Sequence, residues 1–114
     1  MIDASNPKSA YTLAEWTVKP GAEDAFVEEW TKFSELLLEH RGAESFALLK
    51  ATAGARQFVS VALWSGRGST VPWPTFLERL GRCRALCEQS QSRNYRPVVL
   101  LSRPSGAAVV DLAA

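Results

Sequence analysis

The chain has one histidine, two cysteines and almost no excess of charge, and each scarcity closes off a class of function. Its 13 Lys and Arg face 12 Asp and Glu, a formal net charge of +1, so no electrostatic field recommends a nucleic-acid partner. Cys83 and Cys87 lie four apart in a segment that reads as helix, where a disulfide along one face would be strained. With His40 far off in sequence they are too few for a zinc site, and no metal is expected. The plain expectation is two reduced thiols packed as small hydrophobes in a reducing cytoplasm. No apolar run approaches the ~20 residues that span a bilayer, so no membrane partner is expected. The opening "MIDASNPKSA" also lacks the apolar stretch of a signal peptide.

What is present is the composition of one soluble domain. Hydrophobic residues make up 46% and charged residues 22% of 114, enough for a modest core. Residues 10–18, "AYTLAEWTV", have strand-like density, and "KPG" then breaks the chain. From Ala22 the period changes: Phe26, Trp30, Phe33 and Leu37 form one helical stripe, with Glu23 and Asp24 in the first turn where negative charge suits the dipole. Arg41-Gly42 ends that helix. "AESFALLKAT" at 43–52 and "RQFVSVALWS" at 56–65 read as a hairpin joined by "AGA". After the polar loop "GRGSTVPW", Pro74 suits the first turn of a second helix, whose apolar stripe is Phe76, Leu80, Cys83 and Cys87. "YRPVVLLSR" at 95–103 reads as the last strand, with Pro97 suggesting an edge. The organisation is a tail at 1–9, one domain at 10–103 and a tail at 104–114, without internal repeats.

The order β-α-β-β-α-β, with short connections and right-handed crossovers, implies an α+β, ferredoxin-like domain: a four-stranded antiparallel sheet with both helices on one face. The third strand reads oddly for such a sheet. In "FVSVALWSG", Val59, Val61 and Leu63 take one face while Phe58, Ser60, Ala62 and Trp64 take the other. Both faces are apolar, and two helices cover only one. The uncovered face implies association, most simply a homodimer through the sheet face opposite the helices. An RNA-binding module of this topology would need exposed aromatics in basic surroundings on that face, and Val59, Val61 and Leu63 do not provide them.

The first strand running into "VKPGAEDAFVEEW", the later "RGAESFALLK", and a strand ending "VALWSG" before a second helix resemble the antibiotic biosynthesis monooxygenase family over about residues 10–103. The resemblance implies a small dimeric α/β barrel of ferredoxin-like topology. It also implies oxygenase chemistry without metal or flavin: an electron-rich phenolate or carbanion reduces dioxygen itself inside a dry, aromatic-lined cavity. The haem-degrading branch of the family relies on a histidine in the second helix, yet residues 74–91 contain none. Its first-strand asparagine falls at about Ala14, so the resemblance points away from haem.

The expected site follows. Trp64 matches the family's tryptophan at the end of the third strand, facing a cavity between sheet and helices. Ser60 and Ala62 share its face, and small residues beside a large ring leave room for a small aromatic or hydrophobic ligand. A strand Trp is equally at home in a core, so that alternative stands. Trp30 lies on the helix stripe and reads as core. Trp16 shares a face with Ala14 and lines either region. Trp73 is either an exposed lid residue or a plug. For catalysis His40 is the only imidazole, set against the ordinary role of His at a helix C-terminus. Arg84 flanks the second stripe, where its guanidinium either reaches a phenolate or lies out on the surface. Glu15 and Tyr11 lie opposite Trp16, on the dimer side. The leading expectation is a cofactor-independent monooxygenase making quinones from an aromatic polyketide or hydroquinone. The alternative is a non-catalytic dimeric barrel that binds a small hydrophobic ligand or acts as an accessory or stress protein, and isomerisation or cyclisation in the same cavity is a third possibility.

Overall fold

A computed structural model describes residues 10–65 and 70–103; the tails at 1–9 and 104–114 and part of the Gly-rich loop lie outside the described residues. The elements are β1 (Ala10–Val18), α1 (Glu23–Leu38), β2 (Ala43–Lys50), β3 (Gln57–Trp64), α2 (Trp73–Ala85) and β4 (Cys87–Tyr95). All pairings are antiparallel, in the order β2-β3-β1-β4. This is the ferredoxin-like arrangement, and five of its six elements lie where the pattern of residues puts them.

The sixth does not. The last strand is residues 87–95, "CEQSQSRNY", rather than 95–103, and Cys87 opens it instead of closing the stripe of α2. The apolar run beyond it is in solvent: Val98 is 88% and Leu101 92% exposed. β4 is an edge strand held by its ladder to β1, with polar side chains on both faces, so it carries no apolar alternation. The run at 97–101 imitates a strand without being one.

Local chemistry sets the ends of the helices. Gly42, at φ 105°, turns the chain from α1 into β2 in a region that side-chain-bearing residues avoid, and its carbonyl accepts from the Ser65 N–H at 2.9 Å. Pro72 caps α2 and Pro74 lies in its first turn, where a missing N–H costs nothing.

The core is lopsided. At one end of the sheet, Trp16, Phe26 and Phe58 form a chain of tilted rings with centroids 5.3 Å apart, sealed by Val18 and Cys83, both 0% exposed. Burying Phe26 completely contributes roughly 1.5–3 kcal/mol. Toward the other end the sheet face covered by the helices becomes small. One cross-strand row reads Ser92, Ala14, Ser60, Leu48 and the next Asn94, Thr12, Ala62, Phe46. The opposite face presents Leu13, Leu49, Val59 and Val61, of which Leu49 is 53% exposed. Its β4 edge is polar, with Gln89, Gln91 and Arg93, so the apolar patch covers three strands rather than four. Among the described residues no helix is long and apolar enough to cross a membrane.

Candidate functional site

The small rows have a physical consequence. Ala14, Ser60 and Ala62 stop short of the helices, while Trp16, Phe46 and Trp64 stand up around them, and a cavity of about 620 Å³ is left between. Trp30, Phe33 and Leu37 of α1 and Phe76 and Leu80 of α2 close it above. The walls are braced by aromatic contact: Phe46 meets Trp64 edge-on at 5.5 Å, and Phe33 meets Phe76 edge-on at 5.3 Å. β4 and the C-terminal end of α2 frame a polar rim, with Ser92, Asn94 and Arg84 exposed along it.

Both indoles of the sheet are tied down by hydrogen bonds. Trp16 Nε1–H donates to Ser60 Oγ at 2.9 Å in a buried pair, and Trp64 Nε1–H donates to Thr12 Oγ1 at 2.9 Å. Thr12 passes its own hydrogen to Asn94 Oδ1 at 2.7 Å. The tryptophans therefore offer ring faces to the cavity, and their N–H groups are already used.

Seven of the eight residues expected at the site border this one cavity: Ala14, Trp16, Ser60, Ala62, Trp64, Trp73 and Arg84. Trp30, read as core, is only half-buried and borders it too. Trp73 is 66% exposed and stacks on Phe76 with rings 5.4 Å apart and 10° from parallel. His40 is the exception and does not border the cavity. It lies just beyond the end of α1, with Nδ1 3.0 Å from the Leu36 carbonyl. A carbonyl only accepts, so Nδ1 carries the hydrogen in this contact at the helix end.

Thr12, Ser90, Ser92 and Asn94 also line the cavity and were not anticipated. The β4 residues were hidden by the misplaced last strand. Thr12 was legible, since it shares a face with Ala14 and Trp16 in β1.

No carboxylate, imidazole or thiol belongs to the described lining, and Arg84 is its one charged side chain. The thiols lie elsewhere, free and buried. Burial, assisted by the charges of Glu29 and Cys87, pushes the Cys83 thiol up to about 12; burial also raises Cys87, against Lys19, which lowers it. The Cys87 thiol donates to the Cys83 carbonyl at 3.5 Å. Among the described residues no three His, Cys, Asp or Glu side chains gather as a metal site would require. A second, polar hollow of about 310 Å³ lies on the other face of the sheet, bordered by Leu13, Glu15, Val59, Gln91, Arg93 and Tyr95.

The same fold recurs among solved structures. A variant of SnoaB, a cofactor-independent oxygenase from Streptomyces nogalater, superposes with a TM-score of 0.75 at 19% identity, covering 84% of this chain and 99% of its own. A candidate antibiotic biosynthesis monooxygenase from Bordetella bronchiseptica gives 0.68 at 18% identity, covering 81% and 99%. A conserved protein from Methanosarcina mazei Go1 gives 0.69 at 16% identity, covering 80% and 94%. Identities this low establish the fold alone. No curated protein matches the sequence. The family model for antibiotic biosynthesis monooxygenases matches residues 10–71, the stretch that carries β1, α1, the hairpin and the floor of the cavity. With more than half its length matched on that fold, the chain belongs to the antibiotic biosynthesis monooxygenase family.

Proposed function

We propose that this protein is a cofactor-independent monooxygenase that oxidises an aromatic polyketide or hydroquinone-type substrate to a quinone with dioxygen. The observation that carries the reading is the cavity itself: about 620 Å³, walled by Trp16, Phe46 and Trp64 and closed by Trp30 and Phe76. That is the volume and character of a site for one planar small molecule. In the reaction, an anthrone-type substrate gives up its acidic proton and reduces dioxygen. One oxygen atom becomes the new carbonyl and the other leaves as water with the two hydrogens of the oxidised carbon. The side chains contribute orientation, exclusion of water and stabilisation of the anion, with Trp64 and Trp73 as stacking surfaces and Arg84 as the cationic partner. SnoaB, described as a cofactor-independent oxygenase, shares the fold, which supports the reading.

Oxygen uptake by the purified protein with a panel of anthrones and hydroquinones tests it. Stoichiometric uptake with quinone formation, reduced by Trp64→Phe, is the expected result. Uptake no faster than the uncatalysed rate across the panel, with ligands still bound, would instead favour a non-catalytic binding protein. The lack of a base in the described lining gives that second reading its standing.

We further infer a homodimer through the sheet face opposite the helices. Leu13, Leu49, Val59 and Val61 supply its apolar centre, and Glu15 and Arg93 border the same face. In an isologous interface those two opposite charges can pair twice across the axis. Light scattering on the wild type and on Val61→Lys tests this: a dimer converted to monomer is expected, and a monomeric wild type would refute it.

A further inference from the structure

A serine interrupts the apolar ceiling of the cavity. Four residues of α1 line it, Trp30, Phe33, Ser34 and Leu37, and Ser34 stands among three large side chains at 6% exposure. A helical hydroxyl often returns its hydrogen to the carbonyl one turn back, as Thr31 does to Val27 at 2.7 Å. Ser34 makes no such bond, and its side chain has no hydrogen-bond partner among the described residues. Its oxygen is not sealed in either. Among the described residues that state is confined to Glu29 Oε2, so the Ser34 hydroxyl opens into the cavity it lines. An unpaired buried hydroxyl lowers stability, and Ser is a poorer helix former than Ala. Neither packing nor helix formation calls for it there. Its place in the fold is also distinctive. α1 packs beside β2 and α2 beside β4, at opposite edges of the sheet. The polar rim of the cavity, Ser92, Asn94 and Arg84, belongs to β4 and α2, so Ser34 faces the cavity from the other side.

We propose that Ser34 is a specificity-determining residue, and that the cavity takes an aromatic ligand carrying oxygen at both ends: one at the rim of β4 and α2, and a second, a neutral hydroxyl or carbonyl oxygen, on the Ser34 hydroxyl beneath α1. The inference rests on the aromatic-cavity reading above and adds which residue reads the inner end of the ligand and what it reads there. A serine hydroxyl both donates and accepts, so it pairs with either kind of oxygen. A ligand bare at that end leaves the hydroxyl unpaired, and a site with a buried polar group discriminates against the analogue that lacks its counterpart. The contact also decides which way round a long planar ring system sits, a choice that apolar walls alone leave open. The hydroxyl that the free protein leaves without a partner is thus paired once the ligand is in place.

Two anthraquinones test the proposal, since both are already quinones and turnover does not interfere. 2-Hydroxyanthraquinone carries its hydroxyl at one end of the long axis, and 2,6-dihydroxyanthraquinone carries one at each end. Binding is followed by tryptophan quenching at a pH where both phenols are neutral. The wild type is expected to hold the dihydroxy compound about tenfold more tightly, the difference one neutral hydrogen bond makes. Ser34→Ala should erase that preference by weakening the dihydroxy compound alone, while Ser34→Thr, which keeps a hydroxyl, should retain part of it. Melting of the variants without ligand supplies the second readout: Ser34→Ala should be at least as stable as the wild type, because it removes an unpaired polar group. Equal affinity of the wild type for both compounds, or a preference that survives in Ser34→Ala, would overturn the proposal and leave the cavity reading intact. A Ser34→Ala variant that melts well below the wild type would overturn it too, since the hydroxyl would then be serving the fold. If neither compound binds, the cavity reading fails and the proposal with it.

Discussion

Replacing Ser60 by alanine removes one oxygen from the floor of the cavity and leaves the buried indole N–H of Trp16 without its acceptor 2.9 Å away. Trp16 is 5% and Ser60 8% exposed, so water does not easily take the place of the hydroxyl. An unsatisfied buried donor costs about 1–3 kcal/mol, offset in part by losing a polar group from an apolar site. A net loss of roughly 1–2 kcal/mol lowers the melting temperature of a domain this size by about 4–8 °C. The assay is thermal unfolding of Ser60→Ala, Trp16→Phe and the double variant. A shared hydrogen bond makes the second substitution cheaper once the first is in place, with a coupling energy of about 1 kcal/mol. The half-exposed pair Trp64–Thr12 provides the comparison, and Thr12→Val should cost less because solvent reaches it. A Ser60→Ala variant as stable as the wild type, with no coupling to Trp16, would refute the reasoning. It would mean that water in the cavity serves the indole equally well.

Three further outcomes follow from the geometry. With Cys83 raised from 9.0 to about 12, the folded state resists a thiolate that the unfolded chain forms freely; stability is intact below about pH 9 and falls as pH rises toward 12. Unfolding measured across that range should steepen by one proton relative to Cys83→Ala, and a thiol reagent at pH 8 should label neither cysteine until the chain unfolds. Ala62→Leu should fill the hollow between sheet and helices, abolishing quenching by aromatic ligands while the melting temperature holds or rises; a loss of stability beyond about 2 kcal/mol would show the floor already close-packed. Arg56, which donates to the Val18 carbonyl at 3.1 Å and pairs with Glu88 at the surface, should cost under about 1.5 kcal/mol when changed to alanine. A larger loss in chemical denaturation would make that exposed contact a structural clamp.

The parts of this molecule that its residues announce are those where burial enforces a period. α1 is legible because Phe26, Phe33 and Leu37 all enter the core at helical spacing. β3 is legible because Ser60, Ala62 and Trp64 share a face with Phe58. The cavity was readable there as a disparity of size, a large ring beside two small side chains. β4 was not readable, because a strand with a water-facing edge and polar groups on both faces has no apolar rhythm, and its hydrogen bonds to β1 leave no mark in composition. The error at the last strand hid Asn94, Ser92 and Ser90 with it. His40 drew attention for a different reason: an imidazole attracts chemical interest wherever it stands, and here its Nδ1 faces the Leu36 carbonyl at the end of α1.

The polar strand at the edge of the sheet separates two burdens that most small domains place on the same side chains. Folding rests on the aromatic end, on Trp16, Phe26, Phe58 and the residues packed against them, where almost any change is costly. Ser90, Ser92 and Asn94 border the cavity from the edge strand, outside that packed aromatic cluster. Changes at those three positions therefore leave the aromatic core untouched, and a lineage can vary them toward a new ligand at less cost in stability than changes at Trp16, Phe26 or Phe58. A laboratory library confined to these three codons, screened for altered ligand preference, would explore the same freedom directly.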